Sequence, residues 1–113
     1  MWLNENEITV ISGLDNCKAL RRLFITHNKI ARITGLEGLW NLETLWLNEN
    51  EISSLEGLPI LPRLTEFSIS MNKIEVIGTG LDGLDNLTDL NMAGNRIGNF
   101  KELLNLNRLP SLK

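Results

Sequence analysis

Few residues in this sequence combine the types and spacing that chemistry requires. The stretch Gly78-Thr79-Gly80-Leu81-Asp82-Gly83 reads G-x-G-x-x-G, the pattern in which glycines let a backbone close on a dinucleotide pyrophosphate. That chemistry needs a buried strand before the glycines, a long helix after them and an acidic residue about 20 positions on. Cys17 and His27 would form a nucleophile and its base only if the fold brought them within hydrogen-bond reach. Asn86-Leu87-Thr88 has the form of an N-glycosylation acceptor, which matters only in a secreted chain. The sequence holds one histidine and one cysteine, too few for a His/Cys metal cluster. No pair of carboxylates and no nucleophile–base pair stands out, so neither catalysis nor a cofactor is expected.

Composition narrows the partners. The formal charge of -3 argues against nucleic acid, which selects a basic stripe. A single cysteine cannot staple a fold and favours a reducing compartment. The start of the chain lacks the basic-then-apolar run of a secretory signal, and no apolar run is long enough to span a bilayer. A cytoplasmic protein that uses neither membrane nor nucleic acid is expected.

Self-similarity organises everything else. With Leu20, Leu42, Leu64, Leu87 and Leu109 as unit starts, the steps are 42−20 = 22, 64−42 = 22, 87−64 = 23 and 109−87 = 22. The chain divides into a partial unit 1–19, units 20–41, 42–63, 64–86 and 87–108, and a partial unit 109–113. In this register the fourth position reads Met1, Leu23, Leu45, Phe67, Leu90, Leu112, and the sixth Leu3, Ile25, Leu47, Ile69, Met92. The ninth is Asn6, Asn28, Asn50, Asn72, Asn95; the eleventh is Ile8, Ile30, Ile52, Ile74, Ile97. Further apolar columns run through Ile11, Ile33, Leu55, Ile77, Phe100 and through Leu14, Leu36, Leu58, Leu81, Leu103.

Leu-x-x-Leu-x-Leu alternates at its end, as a half-buried strand must, with the fourth and sixth side chains on one face. Asparagine stands where the strand ends and the backbone turns inward, so its amide can satisfy backbone groups of the neighbouring coil. The five asparagines should form a ladder. Each coil is expected to return through a short helical or 3₁₀ segment. Gly13, Gly35, Gly57 and Gly80 ease the bend into it, and Asp15, Glu37 and Asp82 favour the start of a helical turn.

The unit Leu42-Glu43-Thr44-Leu45-Trp46-Leu47-Asn48-Glu49-Asn50-Glu51-Ile52, with Leu55, Leu58 and Leu61, resembles the leucine-rich repeats, in particular their 22-residue, Sds22-like class. The likeness runs through the whole chain. It implies an α/β fold: a right-handed solenoid with a parallel, concave β-sheet and short helical or 3₁₀ convex segments. It also implies a non-catalytic binding scaffold, with a Ser/Thr phosphatase catalytic subunit as one partner of that class. The stretch Asn91-Met92-Ala93-Gly94-Asn95, with Phe100 to Leu104, is similar to a ciliary leucine-rich-repeat protein, which implies ciliary or microtubule-motor components as partners instead. The extra residue of unit 64–86 falls around Gly78, Thr79 and Gly80, in the return segment, where insertions are tolerated. Polar caps, which solenoids need over their terminal cores, are not visible at either end, so a fragment of a longer array is expected.

The register also answers the chemistry. Gly80 shares the column of Gly35 and Gly57, and Gly83 that of Gly38, so the glycine motif is repeat punctuation. Cys17 shares the column of Leu39, Leu61 and Leu106 and reads as a small core residue, while His27 stands at a strand exit. Function is left to the outward strand positions. The fifth column reads Trp2, Phe24, Trp46, Ser68, Asn91, Lys113, which sets three aromatics side by side on the solvent face. Such contiguous apolar surface marks interaction sites, and Trp is enriched in hot spots. The third column gives Arg22, Thr44, Glu66, Asp89 and the eighth Glu5, His27, Glu49, Met71, Gly94. The expected partner-binding set is Trp2, Glu5, Arg22, Phe24, His27, Trp46, Asn48, Glu49, Glu66 and Met71. Glu7, Lys29, Glu51, Lys73 and Arg96 should lace the tenth column with ion pairs, and Trp40 packs outside the stripe. The competing expectation is a structural segment whose strand face touches no partner.

Overall fold

The computed structural model describes residues 1–3 and 7–98. Glu5, Asn6 and every position from 99 onward that the repeat register assigned lie outside the described residues. Four three-residue strands form one parallel sheet in the order β1-β2-β3-β4: β1 (Arg22–Phe24), β2 (Thr44–Trp46), β3 (Glu66–Ser68) and β4 (Asp89–Asn91). Like pairs with like: Leu23 faces Leu45, Leu45 faces Phe67 and Phe67 faces Leu90. Trp2 adds a parallel bridge to Phe24, so the sheet continues into the preceding coil.

The inward columns make the core. Leu23, Leu45, Phe67, Leu47, Ile69, Ile30, Ile52 and Ile74 are fully buried, and so are Ile33, Leu42, Leu64 and Leu87. Cys17 is half-buried and packs against this cluster. With each coil contributing the same side chains to the same layers, stacking replaces the separate core that a single coil cannot bury.

The convex side departs from expectation. No helix forms among the described residues. The return segments are instead built from single turns: Cys17 N–H donates to Leu14 C=O at 2.9 Å and Leu20 N–H to Cys17 C=O at 3.0 Å, whereas in unit 42–63 Leu61 N–H turns to Gly83 C=O of the next coil. The pattern recurs at Leu36, Leu39 and Leu42 and at Leu81, Leu84 and Leu87. No two of these i→i+3 bonds start at consecutive residues, as a 3₁₀ helix requires, even where Asp82 N–H to Thr79 C=O overlaps its neighbours. Three-residue spacing nevertheless eclipses side chains, so each corner drops an apolar residue into the core. Gly38, at φ 82°, lies in a backbone region that no right-handed helix passes through. Asp15, Glu37 and Asp82 therefore sit in exposed turns and face no helix N-terminus. The extra residue of unit 64–86 is absorbed as an additional turn, in which Gly80 N–H donates to Ile77 C=O at 3.0 Å.

Asparagines lock coil to coil. Asn50 Nδ2 donates to Ile25 C=O of the preceding coil at 2.8 Å and to Leu47 and Asn48 carbonyls of its own coil at 3.0 and 3.2 Å. Its Oδ1 accepts from Ile30 N–H at 3.2 Å. Asn28 bridges Leu3 C=O and Ile8 N–H, Asn72 bridges Leu47 C=O and Ile52 N–H, and Asn95 bridges Ile69 C=O and Ile74 N–H. Replacing Asn50 with Leu strips several buried backbone groups of partners, each worth about 1–3 kcal/mol. Urea denaturation of Asn50→Leu should show a loss of at least about 2 kcal/mol, and an unchanged midpoint would refute the ladder's structural role.

Candidate protein-binding face

The strands are too short to hold their outward side chains by pairing alone, so orientation comes from the turn at the end of each strand. After the sixth position the chain reverses within three residues, through the eighth column. His27, Glu49 and Met71 adopt φ of 55°, 56° and 57°, and Gly94 adopts 74°. A left-handed conformation costs a non-glycine residue roughly 1–2 kcal/mol, yet three consecutive coils accept it. The signal was present in the sequence, since Gly94 shares their column and β-branched residues are absent from it. This geometry turns the eighth side chains outward beside the strands: His27, Glu49 and Met71 are exposed. His27 Nε2 and Glu49 Oε2 lie 2.6 Å apart on adjacent coils. Gly94 leaves room for the Met71 side chain, whose sulfur occupies the space that a Cβ there would need.

The aromatic column is a continuous ring stack, but its rings are not equally available. Trp2 stacks on Phe24 with centroids 4.0 Å apart and planes inclined by 22°. Phe24 meets Trp46 edge-on at 5.0 Å and 80°. Only 8% of Phe24 is exposed, against 67% of Trp2; the two tryptophans cover the ring that separates them. The expectation of three exposed aromatics is corrected: Trp2 is exposed, Trp46 is half-buried and Phe24 is buried as their shared support. Such pairs contribute about 0.5–1.5 kcal/mol each beyond area burial.

Beyond Trp46 the column falls to Ser68 and Asn91, and the step in side-chain size opens a hollow of about 280 Å³ lined by Trp46, Asn48, Glu66, Phe67, Ser68, Asp89, Leu90 and Asn91. Trp46 Nε1 donates to Glu66 Oε2 at 2.6 Å, which pins the indole. Asn48 Oδ1 accepts from Ser68 Oγ at 2.6 Å, from Ser70 N–H at 2.9 Å and from Ser70 Oγ at 3.0 Å. Asn48 thus braces β2 against the following coil while lining the hollow. Ser68, Asp89 and Asn91 were not singled out from the sequence, because a hollow is a property of neighbouring columns rather than of any one residue. Arg22 is exposed at the far end of the face.

The remaining sequence candidates scatter. Residues 78–83 are tandem turns ten positions past β3, so no strand–helix cradle surrounds their glycines. Asn86 Nδ2 donates to Pro62 C=O at 2.5 Å, as Asn41 Nδ2 does to Lys18 C=O at 2.8 Å; both asparagines fasten the outer edge. Among the described residues no three His, Cys, Asp or Glu side chains gather to hold a metal ion. The tenth column forms discrete pairs, Lys29 with Glu7 at 3.8 Å and Lys73 with Glu51 at 3.7 Å. Trp40 is 55% exposed on the outer edge.

The family model for leucine-rich repeats in two copies matches residues 19–60 and 40–78, together just over half of the chain. The protein belongs to the leucine-rich-repeat family. Its fold is similar to that of an internalin from Listeria monocytogenes, with TM-score 0.76 and 29% identity over 95% of this chain and 31% of that one. Internalin C2 from the same organism gives 0.72 and 30%, covering 95% and 47%. The SNF/U2A′ complex of Drosophila melanogaster gives 0.84 at 24% identity, covering 98% and 68%, a likeness of fold. This leucine-rich-repeat chain thus spans about a third of the length of the first internalin. Repeats of the family are typically non-catalytic modules of protein–protein interaction.

The left-handed eighth column is open to a direct check. Met71→Val places a β-branched residue in a conformation it adopts least readily and should lower the unfolding midpoint. Asn tolerates the conformation, so Met71→Asn should stay near wild type. Equal unfolding midpoints for the two variants would show that the strained turn is not present in solution.

Proposed function

We propose that this chain is a non-catalytic scaffold whose protein partner docks on the exposed strand face. The observation that carries this reading is the ring stack. Trp2 and Trp46 stand on the solvent side of a sheet whose other face already buries ample hydrocarbon, and 67% of Trp2 is exposed. Large aromatics held rigidly at a surface lose little conformational entropy on binding and favour interaction sites. Arg22, His27, Asn48, Glu49, Glu66 and Met71 surround the stack and would set specificity by charge and shape; Glu5 belongs to the same eighth column by register.

The partner's identity is a finer proposal. Resemblance to the Sds22-like class supports a Ser/Thr phosphatase catalytic subunit, and resemblance to the ciliary protein supports a ciliary or microtubule-motor component, in either case in the cytoplasm. The burial of Phe24 favours a second reading, in which the stack only ties adjacent strands together and the chain is a structural segment of a longer array.

Trp2→Ser separates the two. Its cost to stability should stay near the roughly 0.5–1.5 kcal/mol of one ring pair, with the circular dichroism unchanged. In affinity capture from cell lysate, proteins retained by the wild type should be lost by the variant. Identical captured sets would leave the structural reading standing.

A further inference from the structure

We propose that the hollow beside Trp46 receives the guanidinium of an arginine presented by the protein partner. The proposal rests on the strand face being the docking surface and names what that surface reads. At about 280 Å³ the hollow lies at the lower edge of the roughly 300–1,000 Å³ of small-molecule pockets, a size that admits one long side chain. Its wall is an indole held in place by the 2.6 Å bond from Trp46 Nε1 to Glu66 Oε2. The buried Ser68 hydroxyl in its lining is already committed to Asn48.

Charge decides the occupant. Glu66 and Asp89 are register partners on neighbouring strands, and like charges directly opposite on a sheet are destabilising. Other carboxylates near this face have side-chain partners of their own: Glu43 has Arg21 and Glu51 has Lys73, and Glu49 meets His27 Nε2. No described cation pairs with Glu66 or Asp89. Two carboxylates without a described cation thus line a hollow that also has an aromatic wall, an arrangement that favours a bound cation. A guanidinium fits better than an ammonium. Its planar face can stack on Trp46, and its fork of N–H donors can engage two carboxylates at once.

The test is an amide and indole NMR titration of the 113-residue chain with N-acetyl-arginine amide, against its neutral isostere N-acetyl-citrulline amide and against N-acetyl-lysine amide. Arginine should shift the Trp46 indole Nε1–H and the amides of Ser68, Asp89 and Asn91, with citrulline inert and lysine weaker. Asp89→Asn should weaken arginine binding by at least about tenfold, as loss of a charge-assisted partner implies. The same variant should unfold at an equal or higher urea concentration, because two like charges no longer stand at opposite register positions. Equal shifts with citrulline, tighter binding of lysine, or an arginine response untouched by Asp89→Asn would overturn the assignment. Should Trp2→Ser lose its captured proteins while arginine leaves the hollow unmoved, the docking face stands and only the arginine reading falls. Arginine-specific shifts alongside unchanged capture by Trp2→Ser would retain the hollow and remove the aromatic anchor.

Discussion

A three-residue strand with an immediate reversal leaves backbone groups that no regular ladder can pair, and the buried asparagine of each coil supplies the missing partners. One side chain donates to the carbonyl at the sixth position of the coil before it and accepts from the amide of the eleventh. Both bonds cross between coils, so the amide joins neighbours while closing its own turn. Polar groups buried without partners are costly, which makes the ninth position intolerant of any residue that cannot both donate and accept. The apolar columns then stack at one spacing, and the strand face inherits that order.

This constraint also shapes the outward surface. Reversal before the asparagine puts the eighth column in the left-handed region and turns His27, Glu49 and Met71 away from the core. Parallel, in-register strands set the fifth column side by side, so ring size in one coil decides what its neighbour exposes. Trp2 and Trp46 cover Phe24 from either side, whereas Ser68 and Asn91 leave open ground beside Trp46. The face therefore has an aromatic end and an acidic, hollowed end, on a backbone that is the same in every coil.

Columns of Leu, Ile and Asn were legible in the sequence because one residue type at one spacing states its own environment. The core, the strand positions and the parallel order all derive from that spacing. The return segments were not legible. Leu at every third position suits both overlapping and corner-sharing turns, and only the backbone distinguishes them. Phe24 was misjudged as exposed because its burial comes from Trp2 and Trp46, residues 22 positions away on each side. The hollow, too, arises between coils. Single columns report what is buried; contrasts between adjacent coils report what is available.

Hydrogen exchange at Ile30, Ile52 and Ile74 tests the central claim most directly. Their amides donate to the side-chain oxygens of Asn50, Asn72 and Asn95, so their protection depends on the ladder itself. Opening free energies near the global value would be expected, with rates within about tenfold of Leu47 and Ile69, whose amides bond across the sheet. Exchange as fast as that of the exposed Ser53 would contradict the account, because it would mean that asparagine side chains do not hold the coils together.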